Sequence, residues 1–385
     1  MRLTRVALAA VLIGVTIFYA ALVLQMARSV SGGAVPGGSP VFYDFAAFRQ
    51  AARFAVEGQA SLAYRDSAMI AAEHAAAPAS IARLPWNYPP TFQLLLMPFA
   101  LPPIAVGYAL WNSCLFAAYA IVTRAFWRDD RRWLVILAPA AFVNMFFGQN
   151  GLLSFCLMVG GVQLLDKRPW LAGLLLGLMA YKPQLALAVP VALIAGRAWI
   201  ALFSAAASQL AFSLLVGAVL GFDSWRRFFD KALHPEGVVH GSSSSWKAVP
   251  SLSTLAEQLG LGKAAANAIF AAGALVGAAL LARGWRRTSD PMVRAGLLGA
   301  ASLLCAPYLR PYDLILLMPT VLLALAQAGH ASKPLGVTAA LAWAAPLFLM
   351  FAQGSLQYGA LISLACLFVV AAQRPNAPAM KQAQR

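Results

Sequence analysis

The chain has 385 residues, of which 61% are hydrophobic and only 11% charged. A soluble domain carries about a quarter charged residues, so a chain this poor in charge cannot cover a water-facing surface and reads as bilayer-embedded. The net charge of +16 falls mostly in short gaps between apolar runs, as topology and anionic-lipid signals do, which excludes nucleic acid as a partner.

Met1 to Arg5 and the apolar run to Met26 resemble a secretory signal. The run has the roughly 20 residues needed to span a bilayer and ends without a small-x-small cleavage site. It is read as an uncleaved first helix with its N-terminus in the cytoplasm. Residues 27–87 then form a long first extracytoplasmic loop, with a Gly/Ser/Pro linker from Ser31 to Pro40. Residues 42–57 predict an amphipathic helix, with Phe45, Phe48, Ala52 and Val56 on one face and Arg49 and Arg53 on the other, lying along the membrane surface. Residues 66–77 predict a second short helix. Residues 88–101 are apolar but short and interrupted by proline, as in a broken helix that inserts without crossing.

Further apolar runs lie at 103–123, 132–147, 150–165, 169–181, 183–196, 198–221, 262–282, 291–306, 311–328, 335–351 and 355–372. They are rich in Leu and Ala and do not alternate with period two, which favours helices over a barrel. If 88–101 does not cross, the basic gaps fall inside: Arg124 to Arg132, Lys167–Arg168, Arg197, Arg283 to Arg287, Lys333 and the tail. The positive-inside rule therefore selects about twelve crossings with both termini cytoplasmic. The fold class is an all-α polytopic bundle, one transmembrane domain over residues 1–372 and a cytoplasmic tail over 373–385. A second extracytoplasmic loop covers 222–261. Cys114, Cys156, Cys305 and Cys366 each sit inside an apolar run without paired spacing, so they give neither a disulfide framework nor a zinc site.

This topology places the chemically capable residues on the outer face. Asp44 opens the surface helix; its carboxylate can take a proton from an acceptor hydroxyl, or cap the helix. Lys182 and Arg310 are cations at outer helix ends, suited to a lipid phosphate or to snorkelling at headgroup level. Asp313 stands three residues after Arg310, a spacing that allows a salt bridge across one turn. Tyr88-Pro89-Pro90 marks re-entry to the membrane, and its prolines also suit a plain helix start. Gln149 and Asn150, in the turn Gly148-Gln149-Asn150, suit sugar hydroxyls or helix caps. Gln184, Tyr308 and Tyr312 line the other outer turns. The loop after 222 carries Trp225, His234, His240, Ser242 to Ser245 and Trp246, a mixture that fits carbohydrate, an interfacial belt or a mobile lid. No P-loop, no zinc spacing and no nucleotide-sugar fold is present, so neither cofactor nor metal is expected.

Tyr43-Asp44 with Phe48, Tyr88-Pro89-Pro90, Gly148-Gln149-Asn150, and Gly177 to Lys182 with Pro183 together resemble glycosyltransferase family 87, over about residues 40–320. The resemblance implies the GT-C fold and inverting transfer of a hexose, typically mannose, from a polyprenyl-phosphate sugar to a lipid or glycan acceptor. It makes Asp44 the general base. Lys182 and Arg310 become the donor-phosphate residues, and Tyr43, Tyr88, Gln149, Asn150, Gln184, Tyr308, Tyr312 and Asp313 the substrate-binding set. Related members often carry histidine in the turn that reads Tyr308-Leu309-Arg310-Pro311-Tyr312 here, where Arg310 stands as the cation. It also implies a bacterial inner membrane, with the active site facing the periplasm or exterior. A transporter or flippase explains the crossings equally well. However, transporters show related halves and midplane charges, and here the charges gather at the outer edge. A polysaccharide ligase or polymerase shares the lipid-linked substrate class.

Overall fold

Leu- and Ala-rich runs bounded by Pro and Gly fold as helices, and helix is the only regular structure among the described residues of the computed structural model. These are residues 13–17, 19–21, 43–76, 84–234, 250–327, 331–351 and 357–373. Most of the first run to Met26, the linker, Arg83 and most of the tail lie outside them.

Three of the runs expected to cross are long and apolar enough to do so alone: Ile104–Phe126, Trp199–Leu220 and Lys263–Arg287. The shorter apolar helices hold 10–17 residues, which is about 15–26 Å of rise against about 30 Å of hydrocarbon. Proline explains the breaks. The run 132–147 yields Trp133–Ile136 and then Pro139–Phe147. The run 183–196 splits into Pro183–Ala186 and Ala188–Ala195 because Pro190 has no N–H for the Ala186 carbonyl and its ring crowds that turn. The run 311–328 begins as the 3₁₀ helix Pro311–Leu317 and becomes α-helical at Met318. Pro90–Ala100 has 11 residues, too few to cross by itself.

The chain forms two units. The first comprises Met1–Leu115, Met145–Gln149 and Leu210–Ser242; the second comprises Phe116–Asn144, Asn150–Gln209 and Ser243–Arg385.

In the first unit, the amphipathic helix is Tyr43–Val56. Phe45, Phe48, Ala51, Ala52 and Ala55 are buried, whereas Val56, expected on the same face, is exposed. This apolar stripe does not rest on the membrane surface as expected. It packs on Pro90–Ala100 and on an aromatic cluster. Phe48 meets Trp86, Tyr88 and Phe92 edge-on at 6.1, 5.3 and 5.1 Å, and Trp86 stacks on Phe92 at 5.8 Å. Such aromatic pairs bring about 0.5–1.5 kcal/mol each beyond their buried area, so the stripe is consumed by protein contacts. Gln93, fully buried, donates to the carbonyls of Ala51 and Ala60 at 2.7 and 3.0 Å and fixes the register. The predicted second helix is Asp66–Ala76.

The second unit is built around Pro291–Cys305, which is buried along nearly its whole length. Asp290 caps it, accepting the N–H groups of Met292 and Val293 at 2.8 and 3.1 Å. Gly173 and Gly177, on Pro169–Leu178, lie directly against the carbonyls of Ala201 and Ala205 on Trp199–Leu220, with no room for a Cβ. Both pairs repeat at four residues, the small-residue contact that lets apolar helices approach without a hydrophobic driving force between them.

Candidate functional site

Asp44 lies in the first turn of Tyr43–Val56 and is half-buried. The helix already begins at Tyr43, so Asp44 is a first-turn acid favoured by the helix dipole, not the cap itself. The Tyr43 side chain is outside the described residues. Behind the next residue lies the turn at Gly148. A Cβ there would meet the Phe45 Cβ at 2.6 Å and Tyr108 at 3.1 Å, and its φ is +67°. Glycine is thus required twice over, by backbone conformation and by contact. Trp111 Nε1 donates to the Gly148 carbonyl at 2.9 Å, and Tyr108 Oη to that of Met145 at 2.5 Å. These bonds bring Gly148 and the buried Gln149 beside the helix start that carries Asp44. Tyr88 lies in the aromatic cluster, 4.7 Å from Phe92, and its carbonyl accepts from Tyr64 Oη at 2.9 Å. The helix begins one residue after Pro89, so this segment works first as a helix start.

Glu73, on the helix Asp66–Ala76, accepts the Leu84 N–H at 3.3 Å. Burial pushes its carboxyl up to about 7 from an ordinary 4.5, against that hydrogen bond. A raised carboxyl is held protonated in the fold, so its contribution is complete below 4.5 and lost as pH rises through about 7. Thermal unfolding of the purified protein should therefore weaken between pH 5 and pH 8, and Glu73→Gln should flatten that slope. An unchanged slope in the variant assigns it to other groups.

The second unit holds a buried polar network. Lys182 Nζ meets Asp313 Oδ1 at 2.5 Å, with 3% and 1% of the two side chains exposed. The same ammonium donates to Asn150 Oδ1 at 3.3 Å and lies 5.1 Å above the Tyr312 ring. The expected Arg310–Asp313 ion pair does not form. The three-residue spacing serves the backbone instead, with Asp313 Oδ2 accepting the Arg310 N–H at 3.0 Å. The half-exposed Arg310 guanidinium donates to Tyr308 Oη at 2.7 Å and lies over its ring. The charge of Lys182 is therefore matched inside the protein, and Arg310 is the cation of this turn that reaches the surface.

Three residues that the sequence reading passed over complete the network. Tyr181 Oη donates to the Asn150 carbonyl at 2.8 Å and meets Ser154 Oγ at 2.6 Å. Asn144 donates to the carbonyls of Ala140 and Tyr312 at 2.8 and 2.9 Å and accepts the Gly151 N–H at 2.7 Å. Their signal was a polar group inside an apolar run, which membrane segments retain for a reason. Gln184 is half-buried just beyond Lys182.

Residues 222–233 form a helix that is held to the segment around Tyr64 and Asp66. Lys231 pairs with Asp66, and Phe228 packs 6.0 Å from Tyr64. His234 follows its end. His240, Ser242 to Ser245 and Trp246 lie outside the described residues. Among the described residues, no three His, Cys, Asp or Glu side chains gather as for a metal ion.

No curated protein and no solved structure matches the chain. The model of glycosyltransferase family 87 matches residues 86–307, more than half of it. The match contains Tyr88, the turn at Gly148 to Asn150, Lys182 and Gln184; Asp44 precedes it, and Tyr308 follows its last residue. With its apolar helices and this match, the chain belongs to glycosyltransferase family 87 and is a membrane glycosyltransferase.

Proposed function

We propose that the protein transfers a hexose, mannose by preference, from a polyprenyl-phosphate sugar to a lipid or glycan acceptor, with inversion. The observation that carries this reading is the family match over residues 86–307. The lipid-linked donor is supported by a helical fold whose long spans present apolar side chains such as Phe203, Leu214 and Leu275 outward. A donor whose chain lies in the bilayer presents its sugar at the interface, where Asp44 and Arg310 stand in the outer-face topology. That topology has about twelve crossings, with 88–101 entering but not crossing, in a bacterial inner membrane with the site facing the periplasm or exterior.

In this reading Asp44 takes the acceptor hydroxyl proton as the oxygen attacks the anomeric carbon, and polyprenyl phosphate departs as an anion. Arg310 holds the phosphate, since its planar fork matches phosphate oxygens. Lys182, first expected to share that task, is better suited to positioning: with Asp313 it fixes the turn that carries Arg310 and Tyr312. Tyr43, Gln149, Asn150, Gln184 and Tyr308 remain the sugar- and acceptor-contact set.

Two measurements test the proposal. The anomeric proton of the product, read by NMR, should show the configuration opposite to the donor; retention removes the single-displacement mechanism. Arg310→Met should weaken donor binding about 10- to 100-fold, the loss of one charge-assisted contact of about 1.5–3 kcal/mol. Unchanged donor binding removes Arg310 from the phosphate site.

A further inference from the structure

The helix Phe222–Leu233 has its faces the wrong way round for a helix in water. Phe222, Phe229 and Leu233 are exposed, Leu233 by 74%. At 100° per residue the three fall within about 40° of one another and form a continuous stripe. The opposite side holds buried Ser224, with Lys231 ion-paired to Asp66 and Phe228 against Tyr64. Polar anchoring thus faces the protein and the apolar stripe faces out.

Two observations say what covers that stripe. The first is continuity. Trp199–Leu220 is long and apolar enough to cross a membrane, and its Leu210, Leu214, Leu215 and Val219 are exposed. The exposed apolar surface runs on from Val219 into Phe222, and Gly221 at φ +83° makes the turn. The second is depth. Phe222 folds back onto Gly217, leaving no room there for a Cβ, and Trp225 Nε1 donates to the Ser213 carbonyl at 3.1 Å. Ser213 lies seven residues before the end of the span, about 10 Å deep at 1.5 Å per residue. The second helix therefore lies level with the last turns of the span, at the depth of an interfacial helix, about 5–10 Å into the headgroup and acyl boundary.

We infer that Phe222–Leu233 is an interfacial helix whose Phe222, Phe229 and Leu233 stripe is covered by bilayer phospholipid. Arg226, on the rim of the stripe, is ion-paired with Asp223 at 3.1 Å and still has 70% of its side chain exposed, which puts a cation at headgroup height, as snorkelling side chains do. Through Lys231–Asp66 and Phe228–Tyr64 the helix ties the first outer loop to the height of the lipid surface. The inference rests on the membrane reading of the chain and not on its chemistry.

The test uses the full-length protein in phosphatidylethanolamine and phosphatidylglycerol vesicles containing a polyprenyl-phosphate probe. Phe229, Leu233, Asp223 and His234 are replaced one at a time by photoreactive p-benzoylphenylalanine, and adducts are read by mass spectrometry. Asp223 and His234 are exposed on the flank away from the stripe. The expected result is phospholipid adducts at 229 and 233 in roughly tenfold excess over 223 and 234, since only an apolar face enters the acyl boundary. Adducts with the polyprenyl probe in preference to phospholipid would overturn the assignment in favour of a substrate-chain groove. Absence of lipid adducts at both 229 and 233 would overturn it in favour of water or protein. Cross-linking requires no turnover, so failure of the transfer chemistry leaves this result readable.

Discussion

Lys182→Met alone should destabilise the protein by about 3–5 kcal/mol, and so should Asp313→Leu alone, because each leaves one uncompensated charge in a water-excluded site. The pair is buried at both ends, with the 2.5 Å contact supported by Asn150 on the cation and by the Arg310 N–H on the carboxylate. The double replacement removes both charges at once, so it should recover most of the loss. Replacing a buried ion pair by apolar residues of similar size is often neutral. Chemical unfolding of the four proteins in micelles gives the double-mutant cycle, with an expected coupling energy above about 3 kcal/mol, since the double should cost less than either single. If the two single losses simply add, the ion pair does not hold the turns, and the positioning role given to Lys182 goes with it.

Asp44→Asn should lower the rate of transfer by about 10²–10⁴-fold, the usual loss on removing a positioned general base. It should leave donor affinity within about twofold, since the acceptor proton is taken only as the bond forms. The asparagine keeps the shape and stays in the first turn of the same helix. It loses the favourable interaction of a carboxylate with the helix dipole, about 0.3–1 kcal/mol, so stability should barely move. Single-turnover transfer and donor binding, measured on the same preparation, separate the two roles. Normal transfer with a small drop in stability would make Asp44 a dipole partner and nothing more.

The helical fold was plain in the sequence because a helix declares itself through length, composition and periodicity. Trp199–Leu220 matches the run 198–221 to within a residue. Helix breaks were harder to place, since Pro190 acts on a carbonyl four residues earlier, not where it stands. The face of Tyr43–Val56 was legible, but its destination was not. Phe45, Phe48 and Ala52 mark an apolar stripe whether a bilayer or the Trp86–Phe92 cluster covers it. Only the fold distinguishes the two.

The site was legible at the level of residue types. Lys182, Asp313, Tyr312 and Asn150 stand out because charged and amide groups are costly in apolar surroundings. Their pairing was not legible. Arg310 and Asp313 are three residues apart and suggested a local bridge, whereas the ion pair that forms joins residues 131 positions apart. Asn144 was passed over for the same reason, because all it shows in sequence is one amide in an apolar run. Its bonds to Gly151 and Tyr312 depend on two turns brought together by folding.

The central claim is that the sugar comes from a lipid-linked donor. Its most direct test offers purified wild-type protein in proteoliposomes radiolabelled polyprenyl-phosphate mannose or radiolabelled nucleotide-linked mannose, with a crude lipid extract as acceptor. The account predicts labelled product from the polyprenyl donor only, with one polyprenyl phosphate released for each sugar transferred. Product from the nucleotide sugar, with none from the polyprenyl donor, would contradict it.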